Sequence, residues 1–66
     1  MSGFVEKYRE HCVNYKFIQK ENTANLIVTY KGEISEDFKK EIINFIKRRC
    51  GTSKVNNCKY IMFTYV

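Results

Sequence analysis

Sixty-six residues with a formal net charge of +5 allow one small domain, because a chain of this size buries only about 60% of its unfolded surface. A hydrophobic fraction of 44%, of which aromatic residues supply a large part, excludes a disordered chain. The absence of proline and the scarcity of glycine exclude linkers and low-complexity tracts. So thin a core is not expected to hold a deep ligand cavity.

In chain order, Ser2 is expected to cap a short helix carrying Phe4, Val5, Tyr8 and Cys12, which recur at helical spacing. Val13, Tyr15 and Phe17 then alternate with Asn14 and Lys16, the period of a half-buried strand. Residues 19–23 (Gln-Lys-Glu-Asn-Thr) form a polar turn, after which Leu26, Val28 and Tyr30 resume the alternation. An antiparallel hairpin over residues 13–31 is predicted. Gly32 breaks the second strand, and Ser35 caps a second helix with Glu36 and Asp37 in its first turn, where acids complement the helix dipole. At 100° per residue, Phe38, Ile42, Phe45 and Ile46 share one stripe, widened by Ile43 and Cys50. Lys47, Arg48 and Arg49 fill the last turn, and Gly51 is placed to close the helix.

Residues 52–57 are polar and predict a loop. Residues 59–66 are β-branched and aromatic, a strand whose two faces are both largely apolar. Such a strand is expected to be central and covered twice, or to contact another chain. The fold class expected is α+β in the order α-β-β-α-β. A small antiparallel or mixed sheet carries the main helix on one face, and residues 1–66 form one domain. Charges arrive at once after Phe4-Val5, and the longest strictly apolar run is Tyr60 to Phe63. Neither a signal peptide nor a membrane span is expected, which implies a cytoplasmic protein with its cysteines as thiols.

Cys12, Cys50 and Cys58 together with His11 amount to four possible zinc ligands, but no C-x-x-C knuckle is present and His11 and Cys12 are adjacent. Small buried hydrophobes are the commoner role for such cysteines, so no metal and no cofactor is expected. His11 is the sole histidine, and no nucleophile–base signature accompanies it. Glu36, Asp37 and Glu41 belong to a solvated helix face, and the sequence Gly51-Thr52-Ser53-Lys54 follows a helix C-terminus, the wrong dipole end for a phosphate loop. A non-catalytic protein without a small-molecule substrate is expected.

The basic residues carry more information. No acid follows Glu41, whereas Lys47, Arg48, Arg49, Lys54 and Lys59 supply five positive charges, the net charge of the whole chain. Complementing the helix dipole is worth about 0.3–1 kcal/mol per cation and needs one or two of them. Five without counter-charge suit a phosphate backbone, where each neutralised phosphate releases counterions. Arg49 projects near the middle of the apolar stripe and must snorkel off the core edge. Lys39 and Lys40 are further candidate contacts. The aromatics Tyr15, Phe17, Tyr30, Tyr60, Phe63 and Tyr65 are expected in the core rather than as base-stacking platforms.

The order Leu26-Ile27-Val28-Thr29, Ile34-Ser35, Phe38, Ile42 and Lys47-Arg48-Arg49, with Asn56-Asn57 before the last strand, resembles the eukaryotic large-subunit ribosomal protein twenty-two family. Phe4 to Tyr8 stands where that family's first helix lies. The likeness is to a reduced form, with an acidic start at Glu36 and Asp37 where the family tends to be basic. The resemblance implies a structural constituent of the large ribosomal subunit, in contact with ribosomal RNA and neighbouring ribosomal proteins. The alternative is a small protein-binding module, such as a viral or phage inhibitor, that pairs through the strand at 60–66.

Overall fold

The computed structural model describes residues 3–66; the cap expected at Ser2 lies outside them. The elements are α1 (Phe4–Glu10), β1 (Asn14–Lys20), β2 (Thr23–Tyr30), α2 (Glu36–Cys50), α3 (Thr52–Asn56) and β3 (Tyr60–Tyr65). The domain is α+β, with a three-stranded mixed sheet in the order β1-β2-β3. The hairpin pairs antiparallel from Asn14↔Thr29 to Lys20↔Thr23. β3 runs parallel to β2, from Asn25↔Tyr60 to Tyr30↔Tyr65, an orientation that requires a crossover such as α2 and α3 supply.

Alternation sorts the strands into two faces. Tyr15, Phe17, Leu26, Val28, Ile61 and Phe63 share one face through the ladder register, and Lys16, Ile18, Asn25, Ile27, Tyr60 and Met62 share the other. The first face meets the helices: Leu26 and Val28 are buried in one cluster with Val13, Phe38, Ile42, Ile46 and Val55. No charged or polar residue is buried among them. The predicted stripe of α2 is therefore the observed one, with Ile43, Phe45 and Cys50 packed at its margins. Ser35 caps α2 by accepting from the Phe38 amide at 3.1 Å, and the Gly51 amide closes it on the Lys47 carbonyl at 2.8 Å. Gly51 does so at φ +105°, a conformation L side chains rarely adopt.

α1 is held by aromatic rings. Phe4 lies 5.6 Å from Phe38 and 5.3 Å from Phe45, and Tyr8 lies 5.3 Å from Phe45, spacings at which tilted rings attract beyond simple burial. The backbone amide of Val13 returns to the Tyr8 carbonyl at 3.0 Å. Cys12 does not continue the helical stripe as expected. It sits past the helix end, exposed, at φ +50°, where the chain reverses into β1. The His11 ring donates through Nδ1 to the Lys31 carbonyl at 2.7 Å. Gly32 opposite has φ +78°, and a Cβ there would stand 3.2 Å from that nitrogen.

Further expectations fail. The turn expected over 19–23 narrows to Glu21 and Asn22, because Gln19 and Lys20 belong to β1 and Thr23 to β2, paired as Lys20↔Thr23. The polar stretch 52–57 is not a loop: residues 52–56 form α3, whose single apolar residue, Val55, is 1% exposed and plugs the core. One apolar side chain in five residues gives no periodicity to read, so only the packing reveals the helix. Of the alternatives for the strand at 60–66, a central place or cover on both faces is excluded. β3 is an edge, and Tyr60, Ile61, Met62 and Tyr65 are all exposed. Tyr60 and Tyr65 consequently leave the expected core, while Tyr15, Phe17, Tyr30 and Phe63 are half-buried against it.

Two substitutions test this packing. A domain of this length has about 3–10 kcal/mol of stability, and Ile46→Ala removes about 2–5 kcal/mol. Urea unfolding of that variant is expected to show a strongly lowered midpoint or no folded baseline. The Asn25 side-chain oxygen is buried without a hydrogen-bond partner among the described residues. Asn25→Val removes an unsatisfied acceptor and adds β propensity, so the same measurement is expected to show a gain of about 1 kcal/mol.

Candidate nucleic-acid interface

The direction of α2 decides where the basic residues fall. Near its start, Lys39 Nζ sits 5.6 Å from the ring of Phe63 on β3. At its end, Cys50 Sγ lies 3.7 Å from the hydroxyl of Tyr15 on β1. The helix thus crosses the sheet from the β3 side to the β1 side. Its apolar stripe faces the sheet throughout, and its cationic last turn emerges beside β1.

From there the cations form a track. The Arg49 guanidinium carbon lies 5.6 Å from the Phe45 ring centroid, the snorkelling geometry its place on the stripe requires. Lys54, carried by α3, places Nζ 4.7 Å from the ring of Phe17, two residues along β1 from Tyr15. Lys59 follows at the start of β3, its amide on the Ala24 carbonyl at 2.8 Å and its Nζ 5.7 Å from the Tyr60 ring. Arg48, Arg49, Lys54 and Lys59 are exposed and Lys47 is half-buried. Attraction to an aromatic face positions a cation without neutralising it, so these groups keep their charge for an external anion.

The candidates at the other end behave differently. Lys39 is ion-paired with Glu36 at 3.3 Å, the sole ion pair among the described residues, and lies on the β3 side. Lys40 is exposed on the first turns of α2. The structure therefore brings Arg49, Lys54 and Lys59 onto successive points of one rim, with Lys47 and Arg48 beside them, and leaves Lys39 and Lys40 apart. Lys20, at the end of β1 where Lys20 pairs with Thr23, lies at the same end of the sheet as Lys59, whose neighbour Tyr60 pairs with Asn25. Sequence reasoning left Lys20 out because hairpin register, which places it there, was not fixed by the turn residues.

The thiols and the histidine are dispersed. Cys50 faces Tyr15, Cys58 Sγ donates to the Lys54 carbonyl at 3.5 Å, and Cys12 is exposed. All three are free thiols, and among the described residues no group of three His, Cys, Asp or Glu side chains is placed to hold a metal ion. An open cleft of about 500 Å³ lies between α1 and α2, lined by Phe4, Val5, Glu41, Asn44, Phe45 and Arg48. No helix of the described residues is long and apolar enough to cross a membrane. No family model, curated protein or solved structure matches the chain.

Two phenols beside the basic turn are held above their ordinary value of 10. For Tyr15 the main cause is the hydrogen bond to Cys50, followed by burial, with Arg49 pulling the other way. For Tyr8 the main cause is burial, then Tyr15. A native pKa above the unfolded one gives stability that is fully present below pH 10 and lost as pH rises through the native value. Following the Tyr15 ring by NMR through an alkaline titration is expected to show ionisation above pH 10, and Cys50→Ala is expected to move it back down.

Proposed function

We propose that this chain is a non-catalytic RNA-binding domain that grips phosphates with the rim formed by Lys47, Arg48, Arg49, Lys54 and Lys59. The observation that carries this reading is the set of cations gathered at the end of α2 and through α3 with no acidic partner among the described residues. Dipole complementation accounts for at most two of them. Three are braced on aromatic rings, which reduces the side-chain freedom lost on binding.

The assembly implied by the sequence resemblance is the large ribosomal subunit, in the cytoplasm, with ribosomal RNA and neighbouring ribosomal proteins as partners. An order of short helix, hairpin, Ser-capped helix with a basic end and further strand supports that proposal. Within it the chain acts structurally: cations neutralise phosphate repulsion between RNA segments, and no bond is made or broken. Lys39 and Lys40 are secondary contacts at most, since Lys39 already serves Glu36.

Fluorescence anisotropy against structured ribosomal RNA over a range of salt tests the phosphate contacts. Affinity is expected to fall linearly on a log–log scale, and Arg48→Gln/Arg49→Gln/Lys54→Gln is expected to flatten the slope by about three, one for each lost contact. Lys39→Gln is expected to leave the slope unchanged. An unaltered slope and affinity in the triple variant would overturn the rim as the contact. Co-sedimentation of the native protein with large ribosomal subunits after a high-salt wash tests the assembly itself.

A further inference from the structure

The two edges of the sheet are built differently. β1 presents Asn14, Lys16, Gln19 and Lys20 as exposed side chains, and the hairpin and α3 crowd its far end. Lysines along an edge oppose pairing with another strand, because approach of a second chain would desolvate them. β3 carries no lysine of its own; the nearby Lys39 is ion-paired with Glu36. From Tyr60 to Tyr65 it has no charged side chain and no proline, and its exposed residues include Tyr60 at 56%, Met62 at 53% and Tyr65 at 67%. Alternation along a strand leaves every second backbone amide of β3 directed away from β2. A neutral, apolar strand with free backbone groups is a template for strand addition.

We propose that β3 pairs antiparallel with β3 of a second copy of this chain, joining two three-stranded sheets into one of six strands. The geometry of a sheet restricts how this can happen. Strands related by a two-fold axis must keep each face on its own side, so only residues of the same face lie opposite each other. An axis through Phe63 satisfies this: Phe63 meets Phe63, Ile61 meets Tyr65, Met62 meets Thr64, and Tyr60 meets Val66. Aromatic–aromatic and aromatic–aliphatic neighbours of this kind are the favourable cross-strand pairs. The helices of both copies then share one side of the joined sheet.

Charge distribution favours a second copy over a charged partner. The excess positive charge lies toward β1 and the hairpin end, away from the β3 edge, so two chains of net charge +5 meet along a neutral line. At the far end of β3, beyond the Tyr30↔Tyr65 pair, the chain carries Lys31 and Glu33, and Lys39, whose Nζ lies 5.6 Å from the Phe63 ring at the proposed axis, is ion-paired with Glu36. Lys59 alone borders the strand at its start, and the antiparallel arrangement sets the two copies of it at opposite ends. A basic or acidic partner strand would find no counter-charge on β3 to recognise. The pairing edge and the cationic rim meet only at Lys59, whose Nζ lies 5.7 Å from the Tyr60 ring, and the association is measured without RNA.

Sedimentation equilibrium of the intact chain, without RNA, is expected to show a monomer–dimer equilibrium. Met62→Lys puts a charge in the middle of the edge at an exposed position and is expected to weaken the dimer by about tenfold or more. An unchanged circular dichroism spectrum would show that the monomer still folds. Lys16→Ala on the other edge is expected to leave association as it is. As a second measurement, amide exchange in β3 is expected to slow as protein concentration rises, with β1 unaffected. A monomer at every concentration overturns the proposal, as does a dimer indifferent to Met62→Lys or one whose concentration-dependent protection falls on β1.

Discussion

The contact on which everything else hangs is the packing of Phe38, Ile42 and Ile46 of α2, with Val55 of α3, over Leu26 and Val28 of the central strand. Each of these side chains contributes about 1.5–3 kcal/mol by leaving water, against a net stability of about 3–10 kcal/mol for a chain of this length. Half a dozen apolar groups therefore decide whether the domain exists. Nothing polar is buried among them, so the charged groups stay outside this cluster, at the surface or its margin.

That displacement is also what orders the cations. Arg49 and Lys54 come from elements whose apolar sides are pressed onto the sheet, so each charged head has to leave along the margin of the core. The rings of Phe45 and Phe17, themselves half-buried at that margin, lie within reach of the departing heads. Core packing and the binding rim are thus two consequences of one arrangement. Because α2 crosses from β3 to β1, the cationic end lies on the β1 side and the ion-paired first turn on the β3 side. The sheet acquires one charged margin and one neutral one.

Short chains need abrupt connections, and four residues supply them through positive φ: Cys12, Glu21, Gly32 and Gly51. Gly32 takes φ +78°, which strains any L side chain, with the His11 ring in tight contact with a would-be Cβ, and Gly51 turns α2 directly into α3. Without that turn Lys54 would not reach Phe17, and Val55 would not close the core. Cys12 and Glu21 make comparable reversals without glycine, at a cost of about 1–2 kcal/mol each that the neighbouring hairpin and α1 contacts offset.

The α+β class, the hairpin, the stripe and caps of α2, and the cluster at Lys47, Arg48 and Arg49 were all legible in the sequence. Each rests on periodicity, on a Ser or Gly at a helix end, or on charge adjacent in the chain, and such local signals survive without knowledge of the fold. Tertiary structure alone decided that residues 52–56 are helical, since one buried valine sets no period. It alone put β3 at an edge, because an apolar strand reads the same whether a neighbour covers it or is missing. It also assembled the rim: Lys54 and Lys59 join Arg49, and Lys39 does not, only once α2 is laid across the sheet. Periodicity marked the buried side of α2 and of the hairpin, but the crossing direction of a helix and the cover of an edge strand depend on contacts between residues far apart in the chain.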